Sequence, residues 1–288
     1  MIRLDLRKGI TETDQYKAWK FPGGEIHFKL KTDKVLIQNT IDEEFQVIVR
    51  LNSSDDIMFM LIAIDTIKKE VLNPIIDLTI PYMPYQQADR DFGYFECFSL
   101  KTVANIINSL NLAQVTIYDP HSDVCTGLIN RSKVIDNSSF IQQVIFDIVD
   151  EYNFYSSNKK IEEKDIIVLS PDAGAYKKIY KLCEKIKFKG EIVSCSKSRD
   201  HETGDITSVI PEIDQTKPVL IIDDICLGGR TFFNIRKELK NEDVFLAVSH
   251  GIFNDNRDRL EKEFESVYTT NTREDDYEIK NLKLHQIF

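Results

Sequence analysis

An alternation limits most what this chain can become. Short apolar runs of strand length, each followed by a stretch with helical spacing, recur along both halves of the 288 residues. In the first half, FQVIVRL (45–51), IIDLTIPY (75–82) and AQVTIYDPH (113–121) read as strands. Ser53 and Ser54 offer an N-cap to the helical stretch DDIMFMLIAIDTIKKE, and SLKTVANIINSL (99–110) sets Leu100, Val103, Ile107 and Leu110 on one helical face. In the second half DIIVLS, EIVSC, PVLIIDD and VFLAVSHGIF read as strands, and SFIQQVIFDIVDEY, AYKKIYKLCEKI and RTFFNIRKELK as helices. Near-continuous apolar strands separated by helices indicate parallel sheets with helices on both faces, since each parallel crossover lays a helix on the sheet. The expectation is an α/β chain of two domains, 1–135 and 136–288, meeting in the polar, aperiodic NRSKVIDNSS (130–139). SKSRDHETGD (196–205) carries no apolar pattern and reads as an exposed loop or a mobile active-site loop.

Composition narrows the partners. With 42% hydrophobic and 29% charged residues the chain can build cores. A net charge of −10 argues against nucleic acid, which calls for a basic face. The five cysteines are scattered, odd in number and without a CxxC pair, which fits a reduced, cytoplasmic setting and argues against a zinc site. No segment has signal-peptide character or approaches the roughly 20 apolar residues of a membrane span, so no membrane role is expected.

Ligands of open α/β sheets collect at the carboxyl ends of the strands. Four strand ends here are polar: Asp119-Pro-His121, Ser170-Pro-Asp172-Ala-Gly174, Asp223-Asp224 and Ser249-His250-Gly251. The third is the richest. In VLIIDDICLGGRT a buried strand delivers two acids, Gly228 and Gly229 turn the backbone and aim N–H groups at an anion, and Thr231 opens a helix whose positive dipole end points the same way. Carboxylates beside an anion cradle suit a sugar phosphate. The plainer alternative is a helix cap followed by an ordinary turn.

At this point the residues resemble a family. DDICLGGRT looks like the ribose-phosphate loop of type I phosphoribosyltransferases and of the ribose-phosphate pyrophosphokinases. Further matches, in the family's order along almost the whole chain, single out the pyrophosphokinases. FPGGE (21–25) resembles Phe-Ser-Asp-Gly-Glu, and IPYMPYQQADR (80–90) resembles Ile-Pro-Tyr-x-x-Tyr-Ala-Arg-Gln-Asp-Arg. YDPH (118–121) resembles Met-Asp-Leu-His, SPDAG (170–174) is the family's own segment, SHGIF (249–253) is close to Thr-His-Gly-Ile-Phe, and TNT (270–272) also matches.

The resemblance implies two tandem type I phosphoribosyltransferase-like domains and an ATP-dependent diphosphotransferase that uses Mg2+ and releases AMP. It implies that His121 and Asp172 take the magnesium positions, and that Lys197 and Arg199 match the Lys-x-Arg of a catalytic loop. Asp223 and Asp224 would bind the ribose hydroxyls, with Leu227, Gly228, Gly229, Arg230 and Thr231 around its 5-phosphate. Phe21, Gly23, Glu25, Gln87, Asp89, Arg90 and His121 would serve ATP, the 21–25 segment from a neighbouring subunit, so a homo-oligomer with the nucleotide site at its interface is implied.

The chain departs from the family in three places. Gln87 and Ala88 stand for Arg and Gln, both nucleotide contacts in the family. The sequence stops at Phe288 without the family's C-terminal helical extension. The phosphate loop reads Leu-Gly-Gly-Arg-Thr (227–231) instead of Asp-Thr-Gly-Gly-Thr. A monoester phosphate wants a closed nest of donors. An opened nest with an added guanidinium suits a longer 5-substituent, such as the diphosphate of ADP-ribose. The alternative is drift, with Arg230 in solvent and the backbone amides still holding a simple phosphate. Both acceptors, ribose 5-phosphate and ADP-ribose, stay open, as do a phosphoribosyltransferase and a non-catalytic regulatory homologue on the same fold.

Overall fold

The computed structural model describes residues 1–31, 43–91, 93–155, 160–199 and 206–288. The chain divides into two compact units, Met1–Asp136 and Asn137–Phe288. Each is α/β with a parallel sheet.

In the N-terminal unit the strands β1 (Ile2–Asp5), β4 (Glu44–Ile48), β5 (Ile75–Ile80), β6 (Gln114–Tyr118) and β7 (Ser132–Ile135) lie side by side in that order, all parallel. A separate antiparallel hairpin joins β2 (Tyr16–Lys20) to β3 (Ile26–Leu30). Helix α1 (Ser54–Glu70) starts at Ser53 through a capping box: Asp56 N–H donates to the Ser53 hydroxyl oxygen, and Ser53 N–H donates to the Asp56 carboxylate at 2.8 Å. A cap of this kind contributes about 1 kcal/mol. Helix α2 (Ser99–Ser109) buries Leu100, Val103, Ala104 and Ile107, and Leu110 at its C-cap enters the same core, so all four residues that helical spacing assigned to one face are buried. The strands alternate. Phe45 and Val47 on β4, and Ile76, Leu78 and Ile80 on β5, enter one core with Phe59, Met60 and Ile64 of α1. The intervening Glu44 and Gln46 are exposed, and Asp77 and Thr79 half-buried.

In the C-terminal unit the order is β9–β8–β12–β13–β14–β15, again parallel throughout. The strands are β8 (Ile167–Ser170), β9 (Glu191–Ser194), β12 (Val219–Cys226), β13 (Val244–Gly251), β14 (Val267–Thr270) and β15 (Leu282–His285). From β8 the chain crosses through α5 (Ala173–Ile186) to β9 on one side. It then returns to lay β12 on the other side of β8 and proceeds outward through α6 (Arg230–Glu238) and α7 (Arg257–Glu263). Because right-handed crossovers in opposite directions place helices on opposite faces, this sheet has two cores. Val219 and Ile221 pack with Phe232, Phe233 and Leu260 of α6 and α7. Leu220 and Ile222 pack with Ile179 and Leu182 of α5 and with Phe140 and Ile141 of the helix α4 (Ser138–Tyr155). That period of two explains why VLII has no polar position.

The sequence reading of 196–205 as a loop needs correction over Ser196–Arg199. Ser196–Arg199 forms strand β10, antiparallel to β11 (Ile206–Val209), with Lys197 opposite Ser208 and Arg199 opposite Ile206. Its mainly polar residues follow from its place in a two-stranded ribbon with no sheet core to fill. Residues 200–205 lie outside the described residues. No helix among the described residues is long and apolar enough to cross a membrane.

Candidate active site

The reversal between β8 and β12 is where the C-terminal unit opens a crevice. Strand β12 pairs with β8 only over Val219–Ile221, but with β13 as far as Cys226. Asp223 and Asp224 therefore lie past the end of β8 on a strand still held by β13, with Asp223 opposite Val248 and Ile225 opposite His250. The sequence placed them at the strand's exit. They are within the strand, at the point where it loses one neighbour. This is the topological switch at which open α/β sheets bind ligands.

Across the switch, β8 ends in Ser170, and Asp172 caps α5 by accepting the Ala175 N–H at 2.9 Å. Ser170 hydroxyl donates to the Asp172 carbonyl at 2.8 Å and stiffens the turn. Asp224 is buried, with Lys178 Nζ 3.9 Å from its carboxylate. Asp224 N–H donates to Asp223 Oδ1 at 2.9 Å. Burial, and then the charge of Asp224, push the Asp223 carboxyl well above the ordinary carboxylate range. An acid pair placed at such a crevice is suited to the hydroxyls of a sugar.

The turn after β12 has one glycine set by geometry. Gly229 has φ +76 and caps α6, and a Cβ there would lie 2.8 Å from the Phe233 ring. Gly228 has room for a side chain. Asn256 Nδ2 donates to Gly228 O at 3.2 Å and braces the turn. Leu227, Arg230 and Thr231 are exposed around the start of α6, whose first N–H groups and dipole favour an anion.

In the N-terminal unit two loops after neighbouring strands are tied together. Gln86, buried, accepts the backbone N–H of His121 on Oε1 at 2.9 Å. Asp89, also buried, accepts the Ser122 hydroxyl at 2.7 Å and Arg90 Nε at 3.1 Å. Burial alone would raise the Asp89 carboxyl, but Ser122, Arg90 and the nearby His121 together hold it below the ordinary range. His121, Gln87 and Arg90 are exposed. The FPGGE segment forms the tip of the β2–β3 hairpin, where Phe21 N–H donates to Glu25 O and Gly24 has φ +95. Phe21 is exposed and stands beside Trp19 and His27, ring centroids 6.0 and 5.5 Å away. Gly23 and Glu25 are exposed at the same tip.

The structure thus gathers Asp172, Asp223, Asp224 and the 227–231 turn in one unit, and Gln87, Asp89, Arg90 and His121 in the other. Of Lys197 and Arg199 the backbone strand is described, and their side chains lie outside the described residues. Sequence reasoning missed Gln86, Ser122, Lys178 and Asn256. Lys178 carried a readable signal, because it follows the cap Asp172 by six residues, on the face of α5 that also carries Ala175. Among the described residues no three His, Cys, Asp or Glu side chains cluster as a metal site.

Comparison with known proteins comes down on one family. No family model matches the chain. The chain is 25% identical over 262 residues to a ribose-phosphate pyrophosphokinase of Sulfurisphaera tokodaii, covering 88% of this chain and 82% of that one. It is also 25% identical over 268 residues to the ribose-phosphate pyrophosphokinase of Thermosipho africanus, covering 88% and 76%. The crystal structure of phosphoribosylpyrophosphate synthetase from Mycobacterium smegmatis superposes with a TM-score of 0.76 at 20% identity, covering 94% of this chain and 86% of that one, which establishes the fold. In class the protein is an α/β chain with the fold of phosphoribosylpyrophosphate synthetase. Along most of its length it is similar to ribose-phosphate pyrophosphokinases, at about 25% identity.

Proposed function

We propose that the chain transfers the β,γ-diphosphoryl group of ATP to the anomeric hydroxyl of a 5-substituted ribose and releases AMP. The observation that carries this reading is the paired acids at the β8–β12 reversal, followed at once by an anion-binding turn. The anomeric oxygen attacks the β-phosphorus. The bond from that phosphorus to the oxygen bridging to the α-phosphorus breaks, AMP leaves with the electron pair, and the hydroxyl proton passes to solvent. Such transfers depend on positioning and charge neutralisation more than on covalent help.

The residues take distinct parts. Asp223 and Asp224 accept hydrogen bonds from the ribose hydroxyls and fix the anomeric oxygen. The N–H groups of 228–231 hold the 5-substituent. Lys197 and Arg199 neutralise charge on the transferred group and exclude water. Phe21, Glu25, Gln87, Asp89 and Arg90 serve the nucleotide. His121 in one unit and Asp172 in the other would each take a magnesium position. A single protein donor suits magnesium, which is usually completed by phosphate oxygens and water. When bound, magnesium would neutralise charge on the phosphates. The family reading carries with it a homo-oligomer and a cytoplasmic setting.

The acceptor we favour is ADP-ribose, with ribose 5-phosphate as the second reading. Arg230 is the first residue of α6, exposed and without a hydrogen bond or ion pair among the described residues. Leu227 beside it is 41% exposed, where a closed phosphate nest would place a donor. A guanidinium free at that point can pair with a diphosphate continuing past the 5-oxygen. AMP release and product mass, measured with ATP and magnesium and each acceptor in turn, test the proposal. AMP with ribose 5-phosphate alone would discard the ADP-ribose reading, and AMP with neither would discard the enzyme. The variant Arg230→Ala should lose about tenfold or more in kcat/KM for ADP-ribose and little for ribose 5-phosphate.

A further inference from the structure

We propose that Gln86 is a positioning residue for the nucleotide end of the reaction, acting through the loop that carries His121. The proposal rests on the functional reading above for the nucleotide, and on geometry for the clamp. In the family segment that IPYMPYQQADR resembles, this position is alanine, so the side chain is a feature of this chain.

Gln86 has no exposed surface, and its buried side chain gains nothing from water. Its Oε1 accepts the His121 backbone N–H at 2.9 Å. That bond fixes which way the amide faces, since only the oxygen can meet an N–H donor. Nε2 is thereby turned elsewhere, and it has no hydrogen-bond partner among the described residues. A buried amide satisfied on one side only is a poor way to stabilise a fold, and alanine or an apolar side chain would avoid the unpaired donor. Its effect therefore lies in the bond it makes among the described residues, to the His121 backbone.

That bond bears on backbone in need of restraint. Asp119, two residues before His121, has φ +39, and Tyr85, beside Gln86, has φ +61. Both lie in the left-handed region that non-glycine residues occupy at a cost. Asp89 makes the second tie to the same loop, through Ser122. Between these two ties the exposed imidazole of His121 is carried on a loop with a set direction. With Gln87 and Ala88 standing where the family keeps two nucleotide contacts, the nucleotide end depends more on the aim of His121 than on side chains of the 85–90 loop.

Two variants of the full chain test this. Gln86→Ala installs the family's residue, and Gln86→Met keeps the volume while removing both the acceptor and the unpaired donor. Hydrogen exchange at the His121 amide reports the clamp, MgATP binding by calorimetry reports its consequence, and the melting temperature reports the fold. Both variants should lose about tenfold or more protection at the His121 amide and bind MgATP about tenfold more weakly, about 1.4 kcal/mol. Gln86→Met should melt no lower than the unvaried protein. Unchanged amide protection overturns the clamp, and lost protection with unchanged MgATP affinity overturns the positioning role. A fall in affinity that tracks a fall in melting temperature makes the residue merely structural. If the unvaried protein binds no MgATP, the functional reading fails, while the amide protection still decides whether Gln86 holds the loop.

Discussion

The two units share a layered plan of parallel strands and crossover helices but make their polar clusters in different ways. In the N-terminal unit the strand order β1–β4–β5–β6–β7 runs in one direction, and among the described residues no strand loses a neighbour to a reversal. Its cluster is assembled by side chains: Gln86 and Asp89 after β5 grip the backbone of His121 and the hydroxyl of Ser122 after β6. In the C-terminal unit the order reverses between β8 and β12, and the sheet itself delivers Asp172, Asp223 and Asp224 to one opening. A topological crevice needs little more than strands of the right length. A clamped one depends on individual buried polar residues.

The strongest way to break this comparison is at the acids. Asp223→Asn should lower kcat/KM by about a hundredfold or more, the cost of misplacing a reacting group. It should also leave the protein more stable at neutral pH. The Asp223 carboxyl is raised by burial and by Asp224. Its contribution to stability is therefore full below the ordinary value near 3.8 and is lost as pH rises through the folded value. Thermal melts of the variant and the unvaried protein should diverge towards neutral pH and converge in acid. Equal melting temperatures at pH 7 would mean the acids carry no strain.

At the turn after β12 the two glycines should behave differently. Gly229→Ala forces a side chain into φ +76 and against Phe233, and should cost about 1–3 kcal/mol. Gly228→Ala meets only ordinary contacts and should change stability by less than about 0.5 kcal/mol. Denaturant titration of the pair checks this, and equal losses would show that the turn, not Gly229, is at fault.

The smallest effect separates the units by the sign of their pH dependence. The Asp89 carboxyl is held low, against its own burial, by Ser122, Arg90 and His121. Its stabilisation is present above the ordinary value near 3.8 and is lost as pH falls through the lowered one. Asp89→Asn should lower stability by about 1 kcal/mol at neutral pH and by nothing at the acid end, the reverse of Asp223→Asn. The same measurement as for Asp223, stability against pH, reads both.

Much of this was legible from the sequence, and what was not has physical reasons. The strands β8, β12 and β13 announced themselves because burial on both faces leaves no polar position, and Ser53 announced α1 as a cap. The β2–β3 hairpin went unseen although Tyr16, Ala18, Phe28 and Leu30 alternate with Lys17, Trp19, His27 and Lys29, because Trp19 and His27 put aromatic rings on the outer face. Strand β7 is SKVI with Lys133, Val134 and Ile135 all exposed, so no burial pattern marks it. The β10–β11 ribbon was hidden by its mainly polar composition. At the site, the acids and the glycine turn were readable because their chemistry is local to one stretch. Gln86 and Ser122 were not, because their roles come from bonds spanning 35 and 33 residues.

The central claim is that the reversal in the C-terminal unit holds the acceptor ribose. Calorimetric titration of the full chain with ribose 5-phosphate and with ADP-ribose, repeated on an Asp223→Asn, Asp224→Asn double variant, tests it most directly. The account predicts that the unvaried protein binds an acceptor and that the double variant binds neither acceptor while still binding MgATP. Acceptor binding of equal affinity in the double variant would contradict it.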